Sequence, residues 1–110
     1  MFRTERQGTV EVVICGAPLN RENVAAFNST VTSCLSGQPK LVLDLGNVAL
    51  LDGEGLETLL DLQDELELLG GMVKIAAVGN VCEDALKVTG IGDRFESFDT
   101  VKAAVGSFSR

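Results

Sequence analysis

The chain contains no histidine. That absence removes any mixed thiolate and imidazole metal site and any Cys–His dyad. Cysteine is scarce as well. Cys15, Cys34 and Cys82 are odd in number, far apart and never in a Cys-x-x-Cys pair, so they read as small buried hydrophobes in a reducing compartment. No apolar run approaches the roughly 20 residues that span a bilayer, and the charged start Met1-Phe2-Arg3-Thr4-Glu5-Arg6 is unlike a signal peptide. A cytoplasmic location without membrane insertion is expected. Repeats and low-complexity tracts are missing too. Basic residues are outnumbered, 9 Lys and Arg against 16 Asp and Glu, for a net charge of −7. Nucleic acid and anionic membrane surfaces are therefore poor partners.

What is present is the pattern of a small α/β domain. A length of 110 residues with 45% hydrophobic content supports one domain, residues 1–110, with a modest core. Phe2 to Arg6 and Thr9 to Cys15 read as strands joined at Gln7-Gly8. Asn20 is a candidate cap for a helix whose apolar positions Val24, Phe27, Val31, Cys34 and Leu35 recur at helical spacing, stopped by Gly37 and Pro39. A strand Leu41 to Leu45 precedes a helix from about Glu54 to Leu69, ended by Gly70-Gly71. Met72 to Val78 is another strand, and Asn80 with Glu83 resembles a capping box opening a short helix that Gly90-Ile91-Gly92 closes. Asp99 or Thr100 caps a last helix through Val105. Alternation of strands and helices with short links implies helices packed on a sheet.

The densest information lies between Val42 and Leu56. The run Leu41 to Leu45 has one acid, Asp44, and reads as a strand covered on both faces. Asp44 itself is expected to bond backbone amides of the loop after it. Past Gly46, Asn47 and the run Val48 to Leu51 comes Asp52, a good N-cap, followed by Gly53, Glu54 and Gly55. Amides at such a helix start lack intrahelical partners and carry the positive end of the dipole, so the turn suits an oxygen-rich group.

Acidity is concentrated in the same place. From Asp52 to Glu67 there are seven acids (Asp52, Glu54, Glu57, Asp61, Asp64, Glu65, Glu67) and no base. Acids near the helix start are favoured by the dipole, but Glu65 and Glu67 stand near its disfavoured end with no lysine four residues on. A solvated helix face is one reading of this run, and a basic partner surface is the other, since charge complementarity raises association rate and specificity.

Enzymatic alternatives fare worse. Asp44 with Asp52-Gly53 is similar to the phosphorylated aspartate and following Asp-Gly of response-regulator receivers. The magnesium-binding acidic pair is missing, however, since the second strand leads into Gly16-Ala17-Pro18-Leu19, and Lys74 falls inside a strand. Asp44, Asn47, Asp52 and Glu54 do not follow calcium-loop spacing. Asp52 and Glu54 read as a cap and a first-turn charge rather than an acid/base pair. No catalysis, cofactor or metal is expected.

The strand L-V-L-D-L, the connector N-V-A-L-L and the turn D-G-E-G-L together resemble the core of the STAS domain, the anti-sigma-factor antagonist family. Gly16 after the second strand and Thr89 to Phe95, T-G-I-G-D-R-F, extend the resemblance over nearly the whole chain. It implies a single STAS-like α/β domain: a small mixed β-sheet with helices packed mainly on one face. In that family the turn usually carries a serine phosphorylated by a partner kinase, and here Gly53 stands at that position, with Glu54 after it. The resemblance implies a non-covalent binder of an anti-sigma factor or serine kinase, acting by partner switching. The expected partner-binding residues are Asp52, Gly53, Glu54, Gly55, Glu57, Thr58, Asp61 and Asp64. The alternative is an accessory subunit of a phospholipid-type ABC transporter that binds the ATPase subunit, and a weak homodimer is a further expectation left open.

Overall fold

A computed structural model describes residues 1–109; Arg110, part of the expected domain, lies outside the described residues. The elements run β1 (Phe2–Gln7), β2 (Val10–Cys15), α1 (Val24–Thr32), β3 (Lys40–Asp44), α2 (Gly53–Leu68), β4 (Met72–Ala76), α3 (Asn80–Thr89), a short 3-10 turn (Ile91–Arg94), β5 (Ser97–Phe98) and α4 (Val101–Ser107). The five strands are ordered β1-β2-β3-β4-β5. β1 is antiparallel to β2, and the other pairings are parallel. This is the expected mixed sheet.

Side chains alternate across the sheet with the two-residue period of a strand, and each face is covered. Val13 and Cys15 of β2, Leu41 and Leu43 of β3, and Val73 and Ile75 of β4 face one side. There they meet Phe27 and Val31 of α1, Leu59, Leu62 and Leu66 of α2, and Cys82 and Leu86 of α3. Val12, Val42 and Ala76 face the other side, where Ala104, Val101, Val105 and Phe108 cover them. Three helices therefore lie on one face, as expected, and α4 alone closes the second. Each fully buried leucine in this core contributes roughly 2 kcal/mol over its exposed state. Leu59 and Leu66 make α2 the central helix of its layer.

Beneath α4 the sheet carries a charge. Lys74, 5% exposed, donates from Nζ to Ser107 Oγ at 2.7 Å and lies 3.6 Å from Glu96. Its ammonium sits 4.3 Å from the ring centre of Phe108 and 5.6 Å from that of Phe98. The ion is thus held by a hydroxyl, a rim carboxylate and two ring faces, the kind of pairing a buried charge requires.

Several local expectations are corrected. The hairpin turn is Gly8-Thr9, one residue past the expected Gln7-Gly8, because Gly8 supplies the positive φ of 65° and Gln7 pairs with Val10. The regular part of α1 stops at Thr32, so Cys34 and Leu35 pack on the core from the loop. Asn20 accepts from the amides of Glu22 and Asn23, each at 3.2 Å, and so caps the turn leading into α1. The capping box at Asn80 does not form: Gly79 is the N-cap residue of α3 and no side-chain bond closes it. β4 ends at Ala76, two residues early, where Ala77 takes a φ of 61°. The end of α2 does follow its glycines. Gly71 donates to Leu66 O at 2.8 Å and Gly70, with φ 70°, to Glu67 O at 3.2 Å, which satisfies two of the last carbonyls.

Candidate functional site

Asp52 is built into the turn by both carboxylate oxygens. In an extended backbone conformation, it caps α2 through Oδ1, which accepts from Gly55 N at 2.9 Å. Oδ2 accepts from Arg21 N at 3.0 Å. The Gly55 amide first, and the Arg21 amide second, hold its carboxyl below the usual carboxylate range. Arg21 belongs to the β2–α1 loop, which is laid along the connector into α2. Leu19 bridges Leu51 in parallel, Leu19 N donates to Leu50 O at 3.0 Å, and Asp52 N donates to Leu19 O at 3.2 Å.

The two glycines of the turn have different reasons. A Cβ at Gly55 would stand 2.0 Å from Leu19 O, so only glycine lets the helix start lie against that loop. Nothing lies within 4 Å of a Cβ at Gly53, and its φ is outside the left-handed region. Gly53 is exposed; a side chain there would point into open space. Nearby, Asp44 behaves as expected, its Oδ1 accepting from Gly46 N at 3.0 Å.

Along α2 the acids divide into three groups. Glu54 faces Arg21, with Nε 3.8 Å from Oε1, at an exposed position. Asp64 accepts from Arg94 Nη2 at 2.8 Å, Glu67 lies 3.8 Å from the same nitrogen, and Gln63 Nε2 donates to Arg94 O. The expectation of a wholly uncompensated helix is therefore corrected: two arginines reach it from outside its own sequence, something no i+4 rule detects. Glu57, Asp61 and Glu65 have no basic partner among the described residues. Glu57 and Asp61 stand on the outward face with Asp64 and with Leu68, which is 89% exposed.

Of the expected contact residues, Asp52, Gly53, Glu54, Glu57, Asp61 and Asp64 come together on one side of the molecule around the outer face of α2. Gly55 and Thr58 do not join that surface. Gly55 is buried on Leu19, and Thr58 is 9% exposed on the side of α2 that faces α1. Arg21 and Arg94 border the surface and were missed, because nothing in their local sequence signals contact with α2. Among the described residues no group of three or more His, Cys, Asp or Glu is arranged to hold a metal ion, and no helix is long and apolar enough to cross a membrane. Cys15 is fully buried and its thiol is pushed up to about 12 by burial and by Asp44.

A five-stranded mixed sheet with helices on both faces and a capped helix start displayed beside β3 defines a small mixed α/β domain. The chain belongs to the STAS domain family, whose pattern it matches over residues 1–104. A search of curated proteins returned no match. Among solved structures, an anti-sigma factor antagonist from Mycobacterium paratuberculosis superposes with a TM-score of 0.89 at 22% identity, covering 100% of this chain and 94% of that one. An anti-sigma-factor antagonist (STAS) domain protein from Planctomyces limnophilus gives 0.85 at 17% identity, covering 99% and 98%. A sulfate transporter family protein from Wolinella succinogenes gives 0.81 at 19% identity, covering 94% and 87%. At these identities the likeness is one of fold.

Proposed function

We propose that the chain is a regulatory binding domain of the anti-sigma-factor-antagonist type, which engages an anti-sigma factor or serine kinase non-covalently, in the cytoplasm and without catalysis. The observation that carries this is the exposed face of α2: the turn is held by both carboxylate oxygens of Asp52, Gly53 is open, and Glu57 and Asp61 project without a basic partner among the described residues. A basic, hydrogen-bonding partner surface complements that face. Control by phosphorylation at the turn is absent from this chain, since Gly53 has no hydroxyl and Thr58, the one hydroxyl of α2, is buried. Glu54 does not replace the phosphate. It is one residue further along the helix, about 100° round, and is engaged with Arg21.

A second function, service as the STAS component of a transport system, is favoured by the likeness to the Wolinella succinogenes protein. Cross-linking pull-down from the native host, with mass-spectrometric identification, separates the two. An anti-sigma factor or serine kinase supports the first, and a transporter subunit overturns it. A recovered kinase should leave the wild type unphosphorylated and add one phosphate to Gly53→Ser, read by intact mass.

A further inference from the structure

Between α1 and α2 runs a groove of about 260 Å³ that borders the surface described above and shares Asp61 with it. Its walls differ. Val24 to Thr32 contains no charged residue, while α2 contributes Asp61 and Glu65, one turn apart on the same wall. Like charges four residues apart disfavour the helix, and neither has a basic partner among the described residues. The floor is apolar, formed by the buried Val31 and Leu62.

Thr58 supplies the independent observation. It is more than nine-tenths buried and lines the groove, yet its hydroxyl makes no hydrogen bond among the described residues. The helical threonines Thr30, Thr32 and Thr89 each turn their hydroxyl back to the carbonyl four residues earlier, at 3.1, 2.7 and 2.8 Å. Thr58 does not make the corresponding bond to Glu54. Its oxygen is nevertheless not sealed from solvent, since no buried side-chain polar atom is left without a partner. Thr58 thus lines the groove with a hydroxyl that has no protein partner among the described residues and is open to a donor brought into the groove.

We infer that this groove receives one guanidinium group, the head of an arginine presented by the binding partner. The inference rests on the partner-binding function above and names the recognition element on the other side. An arginine matches on three counts. Its planar fork of five donors reaches several acceptors at once, here the Asp61 and Glu65 carboxylates and the Thr58 oxygen. Its weakly hydrated head and aliphatic stem suit an apolar floor under a charged rim. The volume is below that of pockets for drug-sized ligands, so it suits one side-chain head.

The test is an NMR titration of the isotope-labelled full chain with N-acetyl-arginine amide, and in parallel with the lysine and norleucine analogues. Saturable shifts confined to residues 28–32 and 58–65, at least threefold tighter for arginine than for lysine and absent for norleucine, are expected. Thr58→Val should weaken arginine binding at least threefold, and Asp61→Asn with Glu65→Gln should abolish it. Shifts that spread over the whole acidic surface without saturating, or equal binding of arginine and lysine, would overturn the inference. The double variant keeps the test decisive if Thr58→Val fails to fold. The isolated chain needs no partner for this titration, so its failure is separable from failure of the partner-binding function. Undiminished binding of the captured partner by Glu65→Gln, which leaves the outer-face acids in place, would refute the groove alone.

Discussion

Gly55 offers a sharp structural test, because two glycines two residues apart answer oppositely to the same methyl group. At Gly55 an added Cβ would lie 2.0 Å from Leu19 O and 2.7 Å from Leu19 C, both backbone atoms. The loop must move by more than 1 Å to reach ordinary contact, roughly 3.4 Å or beyond. Overpacking of this kind costs about 1–3 kcal/mol. Displacing Leu19 also weakens Leu19 N to Leu50 O and Asp52 N to Leu19 O, at about 1 kcal/mol each. Alanine returns up to about 1 kcal/mol of helix propensity. The net expectation for Gly55→Ala is a loss of about 2–4 kcal/mol, or about 8–16 °C in melting temperature for a chain of this length. Gly53→Ala, with nothing within 4 Å, should melt at the wild-type temperature or slightly above it. Urea and thermal unfolding followed by circular dichroism measure both. Equal stability of Gly55→Ala and wild type would refute the claim that only glycine lets the α2 start lie against the β2–α1 loop at Leu19.

Two further outcomes follow from buried and capping groups. Lys74→Ala should lose about 2–4 kcal/mol, since it opens a cavity under α4, whereas Lys74→Met keeps the volume and should stay within about 1.5 kcal/mol of wild type by urea midpoint; equal losses would mean that the charge, not the packing, secures α4. Asp52 has a folded-state pKa below its ordinary value, so its stabilisation is present above the unfolded pKa, about 4, and disappears as pH falls through the lower folded value. Asp52→Asn keeps the bond from Gly55 N but loses the acceptor for Arg21 N. The melting-temperature gap between wild type and Asp52→Asn should therefore be full at pH 7 and shrink below about pH 4. A gap that does not change with pH would contradict the account of the cap.

How legible these features were depended on how far apart in sequence their causes lie. Asp52, Gly53 and the exposed acids of α2 were readable because capping and helical periodicity are local. Asp44 was readable for the same reason, its partner Gly46 being two residues away. The covering of both sheet faces showed in the near-continuous apolar run Leu41 to Leu45. The need for glycine at Gly55 was not legible, since it comes from Leu19 in another loop. Arg21 and Arg94 act on α2 from 31 and 30 residues away in the bonds to Asp52 and Asp64, and the helix looked unpaired without them. β5 has two residues, too few for a period to register. Thr58 was expected among the contact residues, yet the face it occupies belongs to the layer shared with α1, a contact with a helix far back in the chain that local sequence does not signal.

The central claim is that the outer face of α2 is the partner-binding surface. The direct measurement is the association rate of the captured partner with the variant Glu57→Gln, Asp61→Asn, Asp64→Asn across a range of salt. The control variant Glu5→Gln, Glu83→Gln, Asp84→Asn removes three exposed acids elsewhere. Both should remain folded, because exposed changes cost little and the Asp64–Arg94 pair is worth at most about 1 kcal/mol. The α2 variant should associate at least tenfold more slowly at low salt, with a flatter salt dependence, while the control stays near wild type. Equal slowing of the two variants would reduce the effect to net charge, and unchanged rates for the α2 variant would contradict the account.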